Sequence, residues 1–228
     1  MKMTRILIAT RNRHKVAEIQ DILGAPFLMH DLADFPEAPV TIEDAPDFAG
    51  NAVKKATDLA RWLQRQSPEL DYIIADDSGL EVDALNGAPG VHSARFAALD
   101  SGKNGNSSDA ENNAKLLRLL SGIPQARRKA RFKCVIALVP VLGGEIENAS
   151  PVCYAQPIDF LTQTFEGTCE GEILEMAQGK NGFGYDPLFV PEGFHKSFGE
   201  LSEIEKNRIS HRSKAVQKLK EFLAMSER

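Results

Sequence analysis

The chain has 228 residues, 43% of them hydrophobic and 26% charged, a globular composition with enough apolar material for one sizeable core. Lys and Arg number 27 against 32 Asp and Glu, a formal charge of −5; the pI of about 5.6 excludes a general polynucleotide-binding surface, which favours a pI above ~9. The longest apolar run, Cys134–Leu142, is too short for the ~20 residues that cross a bilayer.

Arg5–Ala9 is an apolar run suited to a buried strand, and no secretory h-region or cleavage site precedes it. After Thr10-Arg11-Asn12, the residues Val16, Ile19, Ile22 and Leu23 recur at helical spacing until Gly24 and Pro26 stop them. Asp47 is a good N-cap for a second helix, whose buried stripe is Phe48, Ala52, Ala56, Leu59, Ala60 and Leu63. Tyr72–Ala75 predicts a strand that stops at Asp76-Asp77-Ser78-Gly79. The Gly/Asn/Ser-rich stretch Ser101–Ser108 predicts a mobile loop, and Ser108-x-x-Glu111 has capping-box spacing before a Leu-rich helix ending at Gly122.

From Arg131 to Ile173 short apolar runs separated by Gly and Pro predict meandering strands and hairpins. A Gly-rich loop, Gly179–Gly184, then leads to a short strand, Pro187–Val190. The last helix carries Ala215, Val216, Leu219, Phe222 and Leu223 on one face. Helices and strands alternate early and strands cluster late, so the expected fold is α/β around a mixed sheet, with no linker to divide it. Three widely spaced cysteines (Cys134, Cys153, Cys169) without Cys-x-x-Cys give neither a disulfide framework nor a zinc site. These features lead to the expectation of a soluble cytoplasmic protein.

Five short segments carry candidate chemistry. Thr10-x-Asn12-x-x-Lys15 sits at a strand-to-helix turn, where free N–H groups and a partial positive charge favour phosphate; the plain alternative is a capped helix with a solvated lysine. Asn51 and Lys55 lie four apart on one helix flank, a position that is also an ordinary solvated edge. Asp76 and Asp77 are adjacent carboxylates at the carboxyl end of a buried strand, costly unless paired, hydrogen-bonded or metal-bound, and hard oxygen donors of this kind suit Mg²⁺. In Gly182-Phe183-Gly184-Tyr185-Asp186 the glycines allow close backbone approach and Phe183 or Tyr185 can stack on a flat base; otherwise this is a tight turn returning aromatics to the core. Ser210-His211-Arg212 opens the last helix with cations that a helix N-terminus disfavours unless an anion or acid is near, and Lys206 lies just upstream.

Stacking ring, cations and carboxylates together describe a nucleoside triphosphate ligand. A carboxylate and a phosphate charge ~4 Å apart repel by ~4 kcal/mol at an effective dielectric near 20, so the Asp pair needs Mg²⁺ or lysine to tolerate that ligand. Hydrolysis also needs a base for water, a role open to a strand-end Asp.

With these residues in place the chain resembles, over nearly its whole length, the inosine triphosphate pyrophosphatase (Ham1-like) family. The motifs are Thr10-x-Asn12-x-x-Lys15, Phe48-x-x-Asn51-Ala52-x-x-Lys55-Ala56, and Ala75-Asp76-Asp77-Ser78-Gly79-Leu80 with Gly87-Ala88-Pro89-Gly90 and Ser93-Ala94-Arg95. They continue with Phe183-Gly184-Tyr185-Asp186-Pro187 and Lys206 with Ser210-His211-Arg212. The resemblance implies one domain over residues 1–228, an elongated mixed sheet flanked by helices, and two lobes with the active-site cleft between them. It implies Mg²⁺-dependent hydrolysis of the non-standard purine nucleotides ITP, dITP and XTP to the monophosphate and pyrophosphate, cleansing the nucleotide pool, by a homodimer with no nucleic-acid or membrane partner.

Carried over by position, Thr10, Arg11, Asn12, Arg13, His14 and Lys15 would hold phosphates, with Asn51 and Lys55 beside them. Asp77 would be the general base and a metal ligand, Glu43 the second ligand, and Asp76 a further metal ligand in the same cluster. Ser78 would touch substrate. Phe183, Gly184, Tyr185 and Asp186 would hold the base, with Lys206, His211, Arg212 and Arg95 completing recognition. A 6-keto purine offers an acceptor where adenine offers a donor, so His211 and Arg212 are candidates for selecting hypoxanthine and xanthine. Two positions depart from the pattern: Gly50 stands where an acid is usual, and His92 where Tyr is common. The stretch Pro151–Phe165 is longer than the pattern and reads as an extended edge hairpin. The related alternative is a Maf-type nucleotide pyrophosphatase, and the alternative from another class is a nucleotide sensor without turnover.

Overall fold

The structure, a computed structural model, describes residues 3–64, 69–102, 105–141 and 161–226. Among them the strands are β1 (Arg5–Ile8), β2 (Leu28–Asp31), β3 (Tyr72–Val82), β4 (Lys129–Pro140), β5 (Gln163–Ile173) and β6 (Phe189–Pro191). The helices are α1 (Arg13–Leu23), α2 (Phe48–Leu63), α3 (Ala98–Ser101), α4 (Asp109–Leu119), α5 (Glu203–Ile209) and α6 (His211–Ser226). The strands form one sheet in the order β2-β1-β3-β4-β5-β6. It is mixed: β1 runs parallel to β2 and to β3, whereas β5 and β6 are antiparallel. The fold is therefore α/β, as expected. Contacts divide the chain into two compact units, residues 1–77, 135–165 and 215–228, and residues 78–134 and 166–214.

In the first unit the apolar run of β1 is wholly buried at Ile6, Leu7 and Ile8, and the pairing registers Ile8 with Ile74 of β3. Each such side chain contributes ~1.5–3 kcal/mol by leaving water. Asn12 caps α1, its Oδ1 accepting from the His14 and Lys15 N–H groups, and Gly24 ends the helix at φ 60°. Asp47 caps α2 through the Gly50 N–H, and all six expected stripe residues, Phe48 to Leu63, are buried. Gly50 itself is fixed by space: a Cβ there would lie 2.7 Å from the Ala45 Cβ.

In the second unit a cluster of Leu80, Val82, Phe132, Ile173, Leu188, Phe189 and Phe198 forms the core, with Phe132 edge-on to Phe189 at 4.8 Å. Arg128, 4% exposed, donates to the carbonyls of Leu120, Ile123 and Leu174, satisfying chain ends that the core would otherwise leave bare. The Ser108–Glu111 capping box opens α4 as its spacing implies.

Three expectations need correction, and one helix comes in addition. β3 does not stop at Asp76 but runs on to Val82, because Leu80 and Val82 resume the buried pattern and both aspartates find cationic partners. The described parts of the segment 131–173 lie in two long strands, of 12 and 11 residues, rather than in short runs, since Ala130 to Val139 stay buried almost without break. The expected strand Pro187–Val190 begins only at Phe189, after a single 3₁₀ turn over Asp186–Leu188 with Pro187 inside it. Lys206 lies on a separate helix, α5, opened by a Ser202–Glu205 capping box. Residues 151–160 of the expected edge hairpin, Cys153 and part of the 101–108 loop lie outside the described residues; Gln163–Phe165 begins β5. Cys134 and Cys169 are buried and form no disulfide. Among the described residues no helix is long and apolar enough to cross a membrane.

Candidate active site

In the first unit the site grows from a difference in strand length. β1 ends level with Ile74, where the Ala9 N–H donates to the Ile74 carbonyl at 2.7 Å, while β3 continues. Asp76 and Asp77 thus extend past the carboxyl end of their parallel neighbour, the place where open α/β sheets receive ligands. Both are almost fully buried. Consecutive strand residues leave opposite faces, and each carboxylate meets a lysine from a different helix. Lys15 of α1 pairs with Asp76; Lys55 of α2 lies 2.8 Å from Asp77 Oδ1 and 3.4 Å from Glu43 Oε1. Asn51, wholly buried, donates from Nδ2 to Asp77 Oδ2 at 3.3 Å and accepts the Ala45 N–H at 3.0 Å, so one amide ties the Glu43-bearing loop to Asp77.

Burial raises the Asp77 carboxyl above the ordinary carboxylate value; Lys55 and Lys15 oppose that rise and Glu43 adds to it. Burial also works against the Lys55 ammonium, yet Asp77, Glu43 and Asp76 together push its pKa upward. At Asp77 burial outweighs the lysines, and at Lys55 the carboxylates outweigh burial.

At the start of α1, Thr10 Oγ1 accepts the Asn12 N–H and Asn12 caps the helix. Arg11 reaches away to the Ala38 carbonyl at 2.9 Å, while Arg13 and His14 are exposed on the first turn. The capped-helix reading thus holds for Asn12, while Lys15 turns to the aspartates.

In the second unit Asp186 organises the Gly182–Asp186 loop. Its Oδ2 accepts the Phe183 N–H at 2.8 Å and the Lys206 ammonium at 2.7 Å, deep in the protein. Gly182, at φ +73°, has no room for a side chain: a Cβ would stand 2.1 Å from that same oxygen. Lys206 lies 4.7 Å from the centre of the Phe183 ring and Arg212 5.6 Å from it. Arg212, 1% exposed, donates to Ser78 Oγ at 2.9 Å. His211 stacks on Phe132 with ring centres 4.7 Å apart and planes nearly parallel. Tyr185 is a core residue, its hydroxyl donating to the Ser93 carbonyl and burial driving its pKa up; of the two candidate stacking rings, only Phe183 is partly exposed. Arg95 ends the Gly90–Arg95 turn and, behind burial, helps depress the His92 pKa.

The structure therefore gathers Lys15, Glu43, Asn51, Lys55, Asp76 and Asp77 in one unit, and Ser78, Phe183, Asp186, Lys206 and Arg212 in the other. Sequence reading missed Asp109 and Asn113, whose side chains hold Gly184; their spacing of four in a predicted helix was the available signal. Among the described residues no three His, Cys, Asp or Glu side chains form a metal cage. Glu43 and Asp77 do converge on one cation, Lys55 Nζ, and two hard carboxylates are what Mg²⁺ takes from a protein when phosphate and water complete its shell, so the donor set fits. Asp76, expected with them, is paired with Lys15 as Asp77 is with Lys55, and its carboxylate belongs to the same donor set.

A mixed α/β sheet bearing buried acid–lysine clusters defines the class. Within it, the Ham1 family model matches residues 6–222, and the chain belongs to the Ham1 family. It is 45% identical over 220 residues to the dITP/XTP pyrophosphatase of Geobacillus kaustophilus, covering 96% of this chain and 94% of that one. It is 42% identical to the enzyme of the same name from Desulforamulus reducens, covering 96% and 95%. Among solved structures it is similar to the Ham1 protein of Coxiella burnetii, at 35% identity and TM-score 0.76 over 98% of this chain and 100% of that one. The Staphylococcus aureus Ham1 protein, at 34% identity, gives TM-score 0.75 with the same coverage.

Proposed function

We propose that this chain is a nucleoside triphosphate pyrophosphatase that hydrolyses ITP, dITP and XTP to the monophosphate and pyrophosphate, and so keeps non-standard purines out of the nucleotide pool. The single observation that carries the reading is Asp77: a buried carboxylate of raised pKa, fixed by Lys55 on one oxygen and Asn51 on the other. That is the environment of a general base. The names of the relatives, dITP/XTP pyrophosphatases, support the substrate class.

In the proposed reaction a water proton passes to Asp77 as the water oxygen bonds to phosphorus. The anhydride bond between the α- and β-phosphates breaks, and its electron pair leaves on phosphate oxygen. Lys15 and Lys55 neutralise phosphate charge, with Thr10 to His14 lining the same end of the nucleotide. Mg²⁺, bound by Glu43 and Asp77, would supply Lewis-acid charge neutralisation. Phe183 stacks on the base, and Lys206, Arg212 and His211 present donors to its 6-keto edge. A cytoplasmic homodimer is proposed on the family resemblance.

The test is pyrophosphate release from ITP, XTP, GTP and ATP with Mg²⁺, for the wild type and Asp77→Asn. Fast release from ITP and XTP, little from ATP, and a loss of ~10²–10⁴-fold in the variant are expected. Binding without release would favour the sensor, and release from pyrimidine triphosphates the Maf-type alternative.

A further inference from the structure

Gly184 is held from outside its own loop. Its N–H donates to Asp109 Oδ2 at 2.7 Å, and its carbonyl accepts from Asn113 Nδ2 at 3.0 Å. Asp109 and Asn113 stand four apart on α4 and so share a flank of that helix. One helix therefore grips both polar groups of a single residue. Gly184, at φ +62°, is one of two left-handed glycines in the loop, and unlike Gly182 it has no neighbouring atom within 4 Å of where a Cβ would stand.

The grip is built on a fixed element. The Ser108–Glu111 capping box closes the start of α4. One helical turn beyond, Lys115 is tied to the Phe96 carbonyl at 2.7 Å and to Asp100 at 2.6 Å. The loop's other residues are anchored separately: Phe183 N–H on Asp186, Tyr185 hydroxyl on Ser93. The α4 contacts are thus the ones that fix Gly184, the residue between the Phe183 ring and Tyr185.

We infer that Asp109 and Asn113 are positioning residues that hold the Gly182–Asp186 loop in the conformation that accepts the purine base, an inference that rests on the base-binding role proposed above. With both backbone groups of Gly184 engaged by α4, the loop holds out the partly exposed Phe183 ring, beside the cations of Lys206 on α5 and Arg212 on α6. Preorganising the loop spares the substrate the cost of ordering it, so the effect belongs in binding and selectivity rather than in the chemical step.

Asp109 is exposed, so its replacement leaves the core intact. The variants are Asp109→Ala, Asn113→Ala, and Asp109→Asn, which keeps an acceptor oxygen. The first readout is amide hydrogen exchange at Gly184 in the substrate-free protein; the second is KM and kcat for ITP and ATP. Expected are ~10-fold faster exchange in Asp109→Ala, a roughly 3–10-fold higher KM for ITP with kcat within about twofold, and a smaller ITP over ATP preference. Asn113→Ala should follow the same pattern, and Asp109→Asn should restore wild-type exchange and KM. Unchanged exchange in Asp109→Ala would overturn the clamp. Faster exchange with unchanged KM and selectivity would overturn its role in base positioning. Absence of pyrophosphate release from the wild type would overturn the pyrophosphatase reading instead, and exchange alone would then decide the clamp.

Discussion

Both units bury acids against lysines, but the surroundings of the pairs differ. In the first, the buried Asp76 and Asp77 and the half-buried Glu43 gather around Lys15 and Lys55. In the second, one acid, Asp186, faces Lys206, and the cations of Lys206 and Arg212 lie against the Phe183 ring. The first cluster, rich in carboxylate oxygens, suits a divalent cation with a phosphate chain; the second, a ring edged by cations, suits an electron-rich ring with acceptor oxygens. The lesson is that the same acid–lysine pairing makes two rigid frameworks, and that what stands around the pair, further carboxylates or an aromatic ring, separates their chemistry.

The comparison can be broken most forcefully at its ion pairs. Lys206→Ala strands the Asp186 carboxylate, whose side chain is 4% exposed, and should cost ~3–5 kcal/mol in denaturant unfolding. A loss below ~1 kcal/mol would mean that the pair is not part of the framework. Next in size, Glu43→Gln removes one carboxylate of the first cluster; the Mg²⁺ concentration for half-maximal activity should rise ~10-fold. Asp109→Asn, equally a carboxylate-to-amide change but in the second unit, should leave that midpoint where it is.

The smallest effect concerns pH. The hydrogen bond from Lys115 holds the Asp100 carboxyl below its ordinary value, with burial opposing and Arg118 assisting. The folded form thus favours the ionised state. The stability this contributes is present above the unfolded pKa of ~4 and is lost as pH falls through the depressed folded value. Asp100→Asn should therefore be slightly less stable than the wild type near neutrality, with the gap closing in acid. A gap that widens in acid would reverse the sign.

How much of this was legible in the sequence depended on whether the signal was local. Asn12, Asp47 and Ser108 announced their helices because a cap is a property of three or four consecutive residues. The Ser202–Glu205 box was equally readable but lay in a stretch with little apolar spacing, so α5 was passed over. The end of β3 was misplaced for a different reason. Asp76 and Asp77 look like strand breakers until Lys15 and Lys55, 61 and 22 residues away, neutralise them in place. The aromatic pair of the Phe183–Tyr185 loop could not be divided into ring for ligand and ring for core, because Tyr185 finds Ser93 92 positions earlier. Family motifs supplied the long-range grouping that periodicity could not, while the Asp109–Asn113 grip on Gly184 was visible only in three dimensions.

The division of labour between the clusters is tested most directly by kcat/KM for ITP and for ATP, measured in Asp77→Asn and Arg212→Ala beside the wild type. Asp77→Asn should lower both values by ~10²–10⁴-fold and leave their ratio within about twofold, since a general base does not read the purine. Arg212→Ala should lower the ITP to ATP ratio by ~10-fold, the worth of one lost charged hydrogen bond to the base. An unchanged ratio in Arg212→Ala, or a ratio that collapses in Asp77→Asn, would contradict the assignment of chemistry to one cluster and base recognition to the other.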